Sequence, residues 1–220
     1  MEKEAYFTSE NILSRPEELL AGVASLRRRH EGAMRFSPDA AALLVLDMQN
    51  YFLDSTSHAF VPAAPAIVAG IARLRARFLS ARRPVVFTRH LNSPQNAGMM
   101  SAWWRELITS DAAHSQIIAE FDTADCLVIE KSQYDAFWKT DLNSVLRSLA
   151  VKQVVIAGVM THLCCETTAR SAFMRGYQVF FLVDGTATYT EAFHCASLLT
   201  LSHGFALPVL VGEIEGAFDD

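Results

Sequence analysis

The chain has 220 residues, of which 51% are hydrophobic, and 19 basic residues against 24 acidic ones give a net charge of −5. This length and composition are typical of one α/β domain with a single sizeable core. The lack of a basic surplus argues against a nucleic-acid partner, and no apolar run approaches the ~20 residues that span a membrane.

Residues 1–36 are predicted to form a helical extension that precedes one domain over residues 37–220. Within this domain, six short runs rich in Val, Ile, Leu and Phe do not alternate in polarity, which is typical of parallel strands buried on both faces. The runs cover residues 41–47, 84–90, 126–130, 153–159, 178–184 and 206–211.

Segments with an apolar spacing near 3.6 residues lie between these runs and predict helices. They cover residues 63–83, 140–149, 163–175 and 191–203, and Gly204 is the predicted C-cap of the last helix. The alternation of strands and helices predicts a three-layer α/β/α sandwich around a doubly wound, mainly parallel sheet. The connection over residues 91–114 is longer than most, so we expect it to be functional.

Several polar residues lie at or just beyond the carboxyl ends of the predicted strands, where open α/β sheets place their sites. Asp47 and Lys131 are each also explained without function, Asp47 as a turn cap and Lys131 as a solvated edge charge. Cys164 follows a strand and precedes a helix, and the positive end of a helix dipole lowers the pKa of a thiol. We therefore expect a reactive thiolate at Cys164.

The other three cysteines, Cys126, Cys165 and Cys195, fit buried apolar positions better. The cysteine spacing indicates neither a disulfide framework nor a zinc pair, which favours reduced thiols in a cytoplasmic protein. Asp54 and His58 are four residues apart and are only a weak metal signal. We therefore predict no metal and no cofactor.

Three separated motifs resemble those of the isochorismatase-like hydrolases, also called the cysteine hydrolase superfamily. The motifs are Leu46-Asp47-Met48-Gln49, Lys131 with Tyr134-Asp135-Ala136-Phe137, and Gly158-Val159-Met160-Thr161 leading to Cys164. The resemblance covers about residues 41–211 and implies a six-stranded parallel sheet and a homo-oligomer of two or four chains. It also implies a catalytic triad of Asp47, Lys131 and Cys164.

The resemblance further implies a cis peptide bond between Val159 and Met160. Beside that turn, the backbone N–H groups of Met160 and Cys164 are the predicted oxyanion hole. A small-molecule substrate is expected in front of the triad. The residues predicted to bind it are Gln49, Phe52, His90, Trp103, Trp104, Tyr134, Phe137 and His162.

Two branches of the superfamily match parts of this sequence. Amidase members use the cysteine, whereas isochorismatases cleave a vinyl ether, rely on the aspartate and typically carry glycine in place of the cysteine. Residues 99–107 and His162 resemble the isochorismatase branch, but position 164 is a cysteine. The metal site of nicotinamidases, an Asp-x-His with further histidines, has no clear counterpart here.

We therefore expect the chain to hydrolyse a small amide, carbamoyl or ureido C–N bond through a cysteine thioester. One alternative is a vinyl-ether hydrolase of the isochorismatase type, which uses Asp47 and forms no covalent intermediate. A further alternative is a catalytically silent, oligomeric binding protein on the same fold.

Overall fold

The computed structural model describes residues 2–219, and within them six strands form one parallel sheet. The strands are β1 (Ala41–Leu46), β2 (Val85–His90), β3 (Leu127–Lys131), β4 (Gln153–Val159), β5 (Gln178–Ala187) and β6 (Leu207–Val209). Their order across the sheet is β3-β2-β1-β4-β5-β6, and every neighbouring pair is parallel. The predicted doubly wound α/β fold is confirmed.

Helices lie around the sheet, and short helical turns line the loops at its edge. They are α1 (Arg15–Gly22), α2 (Ala24–Arg27), α3 (Asn50–Leu53), α4 (Ala64–Ser80), α5 (Met100–Trp103), α6 (Leu142–Ser148), α7 (Glu166–Met174), α8 (Glu191–Gly204) and α9 (Val211–Gly216). Two 3₁₀ turns, Pro38–Ala40 and Ala113–Ser115, and a π-helical turn, Thr161–Cys165, complete the set.

The longest helix, α4, shows why these segments fold as they do. Ile67, Ile71, Leu74 and Phe78 recur every three or four residues, and all four are fully buried. This spacing places them on one face of the helix, and burying each such side chain stabilises the fold by about 1.5–3 kcal/mol. Pro65 lies in the first turn, where its missing N–H costs nothing.

Three sequence predictions about these elements were wrong. β3 is an edge strand rather than one buried on both faces, and Leu127 is 41% exposed. β6 is only three residues long instead of the predicted six, because it ends at Val209 and Leu210 is already the N-cap of α9. Gly204 is the last residue of α8 rather than its C-cap, a position that Phe205 takes.

The N-terminal segment packs against the domain through side chains near its beginning. Tyr6 and Phe7 are buried, and the Tyr6 hydroxyl accepts a hydrogen bond from the Thr188 N–H at 2.9 Å. The Glu4 N–H donates to the Tyr189 carbonyl at 2.8 Å. The extension therefore shares the core of the domain, while the boundary at residue 36 stays a prediction.

Within residues 2–219, no helix combines the length and the apolar character that crossing a membrane requires.

Candidate active site

Four neighbouring strands bring the candidate residues to one edge of the sheet. Lys131 ends β3, His90 ends β2 and pairs with it in register, and Asp47 directly follows β1. Cys164 lies in the π-helical turn after β4. Because the strands β3-β2-β1-β4 are parallel neighbours, their carboxyl ends meet at the same edge, beside the point where the strand order reverses.

Asp47 is held in an unusual backbone conformation, with a φ of 51° in the left-handed region. Such a conformation costs on the order of 1 kcal/mol or more for a residue other than glycine and is common at functional sites. Thr88 fixes the residue twice, because its hydroxyl donates to Asp47 Oδ1 at 2.6 Å and accepts from the Asp47 N–H at 3.1 Å.

A glycine in β4 allows the close strand contact beneath Asp47. Gly158 has a φ of 109°, and a Cβ atom at this position would lie 2.1 Å from the carbonyl oxygen of Leu46. Leu46 is the residue immediately before Asp47. The carboxyl ends of β1 and β4 are therefore in direct backbone contact, and any side chain at position 158 would separate them.

The Lys131 ammonium is the centre of the cluster. It forms an ion pair with Asp47 Oδ2 at 2.7 Å and donates to the Cys164 sulfur at 3.3 Å and to the Gln133 carbonyl at 3.0 Å. Its distance to His90 Nδ1 is 3.2 Å. The structure thus brings Asp47, Lys131 and Cys164 together at the edge of the sheet where the sequence predicts them.

The two buried charges of this cluster stabilise each other. Burial is the largest single effect on Asp47 and raises its pKa, but the positive charge of Lys131, together with smaller effects of neighbouring groups, outweighs burial and holds this pKa below its usual value. Burial is also the largest single effect on Lys131 and lowers its pKa, but the Asp47 carboxylate and the neighbouring Cys164 together reverse this and raise it. Asp47 is therefore a carboxylate and Lys131 an ammonium at neutral pH.

The pKa of the Cys164 thiol is shifted in the opposite direction to the one predicted from the sequence. Burial, followed by the negative charge of Asp47, raises the pKa of Cys164 to about 12, despite the opposing effect of Lys131. The residue is only 4% exposed and lies inside the π-helical turn, before α7 begins. The prediction of a resting thiolate was wrong, and the thiol needs a base before it can attack.

His90 and Asn92 extend the cluster on its other side. Burial lowers the pKa of His90 to about 4, and the charge of Lys131 acts in the same direction, so the imidazole is neutral. Its Nδ1 faces the Lys131 ammonium and accepts, which places the ring hydrogen on Nε2. Nε2 then donates to Asn92 Oδ1 at 2.9 Å, so Asn92 fixes the orientation of the ring.

A cleft of about 540 Å³, its mouth included, opens in front of Cys164. The lining is aromatic and apolar, with a few polar groups. The lining residues are Tyr51, Phe52, His58, Ala59, His90, Asn92, Met100, Trp104, Glu106, Leu107, Ile108, Tyr134, Met160, Cys164 and Tyr189.

Half of the residues predicted to bind substrate line this cleft, namely Phe52, His90, Trp104 and Tyr134. Tyr134 is oriented by Trp104, whose indole N–H donates to its hydroxyl at 2.8 Å. Trp103, the neighbour of Trp104, is instead 74% exposed and does not line the cleft.

The other predicted binding residues have structural contacts instead. The Gln49 side-chain amide donates to the carbonyls of His90 and Ser115. The Phe137 ring stacks on Tyr177, and the His162 ring stacks on Phe193 at 4.3 Å. These three side chains lie outside the cleft lining.

Sequence reasoning missed several residues of the cleft, among them Tyr51, Asn92, Glu106 and Tyr189. Asn92 lies two residues after the end of β2, and Tyr189 lies two residues after the end of β5. Their positions just beyond carboxyl strand ends could have identified them as site residues from the sequence. His58, which the sequence suggested only as a weak metal ligand, lines the cleft and pairs with Glu106, while Asp54 pairs with His114.

The peptide bond between Val159 and Met160 is cis, and Met160 lines the cleft beside Cys164. Asp47, His90 and Cys164 each offer a potential metal-ligand atom, and these atoms lie within 4.8 Å of one another. The Lys131 ammonium contacts all three of these residues. The positive charge that balances this donor set is therefore supplied by the chain itself.

Comparisons with known proteins agree with the fold. Residues 41–212 match the family described as the isochorismatase domain. Nicotinamidase 3 of Arabidopsis thaliana is 42% identical over 190 residues, which cover 83% of this chain and 91% of that protein. The isochorismatase of Bacillus subtilis strain 168 is 32% identical over 164 residues, covering 73% of this chain and 52% of that protein, so this chain spans about half of that relative's length.

Among solved structures, a cysteine hydrolase from Pseudomonas syringae pv. phaseolicola 1448A has a similar fold. It superposes with a TM-score of 0.81 at 25% sequence identity, and the match covers 84% of this chain and 95% of that chain.

Proposed function

The chain belongs to the isochorismatase-like hydrolase superfamily, and from this premise we propose that it is a cysteine amidase. Its substrate in this proposal is a small, planar molecule with a carboxamide or a related carbamoyl or ureido group. Nicotinamide is the first compound to test, because the Arabidopsis relative is named a nicotinamidase. The aromatic walls of the cleft support a planar substrate.

The observation that carries this proposal is the position of one thiol. The Cys164 sulfur lies at the floor of the cleft, 3.3 Å from the Lys131 ammonium and within 4.8 Å of an Asp47 carboxylate oxygen. A nucleophile, a base and a cation are thus within reach of one another and of a bound carbonyl.

In the proposed mechanism, Asp47 accepts the thiol proton as the Cys164 sulfur attacks the carbonyl carbon. At rest Asp47 is charged and Cys164 is neutral, so the carboxylate is free to accept the proton that the thiol still carries. Lys131 stabilises the negative charge that develops on sulfur. The backbone N–H groups of Met160 and Cys164 are the proposed donors to the oxyanion.

The tetrahedral intermediate then collapses, and its C–N bond breaks. Asp47 returns its proton to the departing nitrogen, which leaves as ammonia or an amine and produces a thioester on Cys164. Asp47 next takes a proton from a water molecule as that water attacks the thioester. Release of the carboxylic acid restores the proton to Cys164, so each turnover consumes one water and leaves the enzyme unchanged.

The charge of the cleft favours this proposal over vinyl-ether hydrolysis. Isochorismate carries two carboxylates, which proteins usually bind with arginine or lysine. Among the described residues, neither an arginine nor a lysine lines the cleft, and Glu106 adds a carboxylate. The Lys131 ammonium below the cleft is already paired with Asp47.

The test is a substrate panel of nicotinamide, benzamide, an N-carbamoyl amino acid and isochorismate, assayed with the wild type and with Cys164→Ala. We expect release of ammonia from at least one amide or carbamoyl compound and its loss in the variant. Turnover of isochorismate alone, unaffected by Cys164→Ala, would replace this proposal with the vinyl-ether reaction.

A further inference from the structure

The cleft has two chemically different ends. At the floor, Cys164, Met160, His90 and Asn92 are all buried. At the other end, the side chains of His58 and Glu106 are 32% and 51% exposed. All of these residues line the same cleft, so a substrate that places its amide on buried Cys164 extends toward the solvent-exposed side chains of His58 and Glu106.

Hydrogen bonds orient the polar side chains at this exposed end of the cleft. The Nε2 atom of His58 lies 2.8 Å from Glu106 Oε1 and 3.0 Å from the Tyr51 hydroxyl. A lone pair on Nε2 would face the carboxylate, so Nε2 carries a hydrogen and donates it to Glu106. The Glu106 carboxylate is thereby anchored at the mouth, where it faces any incoming substrate.

The arginine and lysine side chains near the mouth of the cleft do not line it. Arg105 is exposed and does not line the cleft. Lys3 also lies outside the lining, and its ammonium donates to the carbonyls of His58 and Phe60 at 2.7 Å each. No arginine or lysine within residues 2–219 forms a salt bridge with Glu106. A carboxylate on the substrate would thus meet a like charge whose described partner is the His58 N–H.

We infer that Tyr51, His58 and Glu106 select the substrate by charge, admitting amides whose remote end is neutral or positive and disfavouring those with a carboxylate there. This inference rests on the proposed amidase function and narrows its substrate class. Glu106 determines specificity in this scheme, and His58 and Tyr51 position it.

The test uses three benzamides of the same shape that differ in charge: benzamide, meta-(aminomethyl)benzamide and meta-carbamoylbenzoate. For the wild type we expect the ratio of kcat/KM between the cationic and the anionic compound to be at least about tenfold. Glu106→Gln should lower this ratio about three- to tenfold, as expected for a partly exposed charge. Glu106→Lys should invert the preference, and Arg105→Gln should raise the ratio.

The matched control is Glu120→Gln, which removes the same charge from an exposed residue outside the cleft lining. Its ratio should equal that of the wild type. The discrimination should also shrink in molar salt, because exposed charges are screened. A wild-type ratio near one, or a ratio that Glu106→Gln leaves unchanged, would overturn the inference.

Binding of the same compounds to Cys164→Ala, measured by calorimetry, separates this inference from the proposed function. If the wild type hydrolyses none of the three but the charge preference appears in binding, the selective mouth stands and the amidase proposal fails. If hydrolysis occurs without any charge preference, the amidase proposal stands and the selective mouth fails.

Discussion

The Lys131 ammonium and the Asp47 carboxylate form an ion pair at 2.7 Å, and neither side chain has any solvent exposure. Removing one partner leaves the other charge buried without compensation, which costs about 3–5 kcal/mol. We therefore expect Lys131→Met and Asp47→Asn each to lower the free energy of unfolding by roughly this amount. Urea denaturation measures the change.

The double variant, Asp47→Asn with Lys131→Met, removes both charges and should recover much of the lost stability. It should not recover amide turnover, because the base is absent. If the two single effects on stability simply add, the ion pair is not the source of the cost.

The raised pKa of Cys164 predicts an unusual pH profile for alkylation. A free thiol reacts with iodoacetamide about tenfold more slowly for each pH unit below its pKa of ~8.5. In the proposed mechanism, proton transfer from Cys164 to Asp47 accompanies the attack, so the rate should be nearly constant from pH 5 to 8. Mass spectrometry of the modified peptide gives the rate.

Asp47→Asn should abolish the flat part of this profile, because the accepting carboxylate is gone. Cys165 is fully buried, and burial raises its pKa well above the usual value, so Cys165→Ala is the matched control and should alkylate like the wild type. An inflection near the free-thiol value in the wild-type profile would refute the assignment of Asp47 as the base.

His194 predicts how stability depends on pH. Burial lowers the pKa of His194 to about 3, so between that value and its ordinary 6.5 only the unfolded chain binds the proton. Stability is therefore full above pH 6.5 and falls as the pH drops. From pH 7 to pH 5 the loss is about 2 kcal/mol. His194→Gln should remove this part of the acid sensitivity.

His203 lies on the same helix and is exposed, which makes His203→Gln the control. Urea midpoints at pH 7 and pH 5 for the three proteins decide the matter. Equal acid sensitivity in His194→Gln and the wild type would mean that other groups, such as His90, cause it.

Gly158→Ala should be severely destabilising. The added methyl group meets the backbone of Leu46, which cannot turn aside as a side chain does, and the positive φ adds strain. We expect a loss of more than about 3 kcal/mol in the free energy of unfolding. Gly204→Ala, at a helical position with open space around it, should leave stability unchanged or raise it by up to about 1 kcal/mol.

That Asp47 and Lys131 lie close together was predictable, because both are anchored to strands. Asp47 and Lys131 lie at strand ends, and the order of parallel strands places such ends together whatever the loops do. The edge position of β3 was not predictable from its composition, because Leu127 and Val128 are as apolar as residues of buried strands. The burial of a strand depends on whether it lies at the edge of the sheet, where it has only one neighbouring strand.

The walls of the cleft were predicted less well because they come from loops. Trp103 and Trp104 are adjacent, yet only Trp104 lines the cleft. Their different positions depend on where α5 ends, since Trp103 is its last residue and Trp104 follows in an extended conformation. His58 and Glu106 are 48 residues apart, and no local pattern predicts a pair that forms only when two loops meet.

The homo-oligomer expected from the family remains to be tested. Size-exclusion chromatography with light scattering distinguishes one, two and four copies of the 24.3 kDa chain. A second copy packed on Trp103 and Met99, which are exposed on or beside α5, would lie next to the cleft, because Met100 and Trp104 line it.

Substitution of Lys131 would show what distinguishes a centre built on a lysine ammonium from one built on a metal ion. The Lys131 ammonium is covalently attached to the chain, so we propose that the centre works without a metal and expect chelators to leave the wild type active. Lys131→Ala would leave a carboxylate, an imidazole and a thiol around an empty position, a donor set that suits Zn²⁺. Zinc titration of Lys131→Ala against the wild type would show whether a vacated lysine is enough to turn a cysteine hydrolase into a metalloprotein.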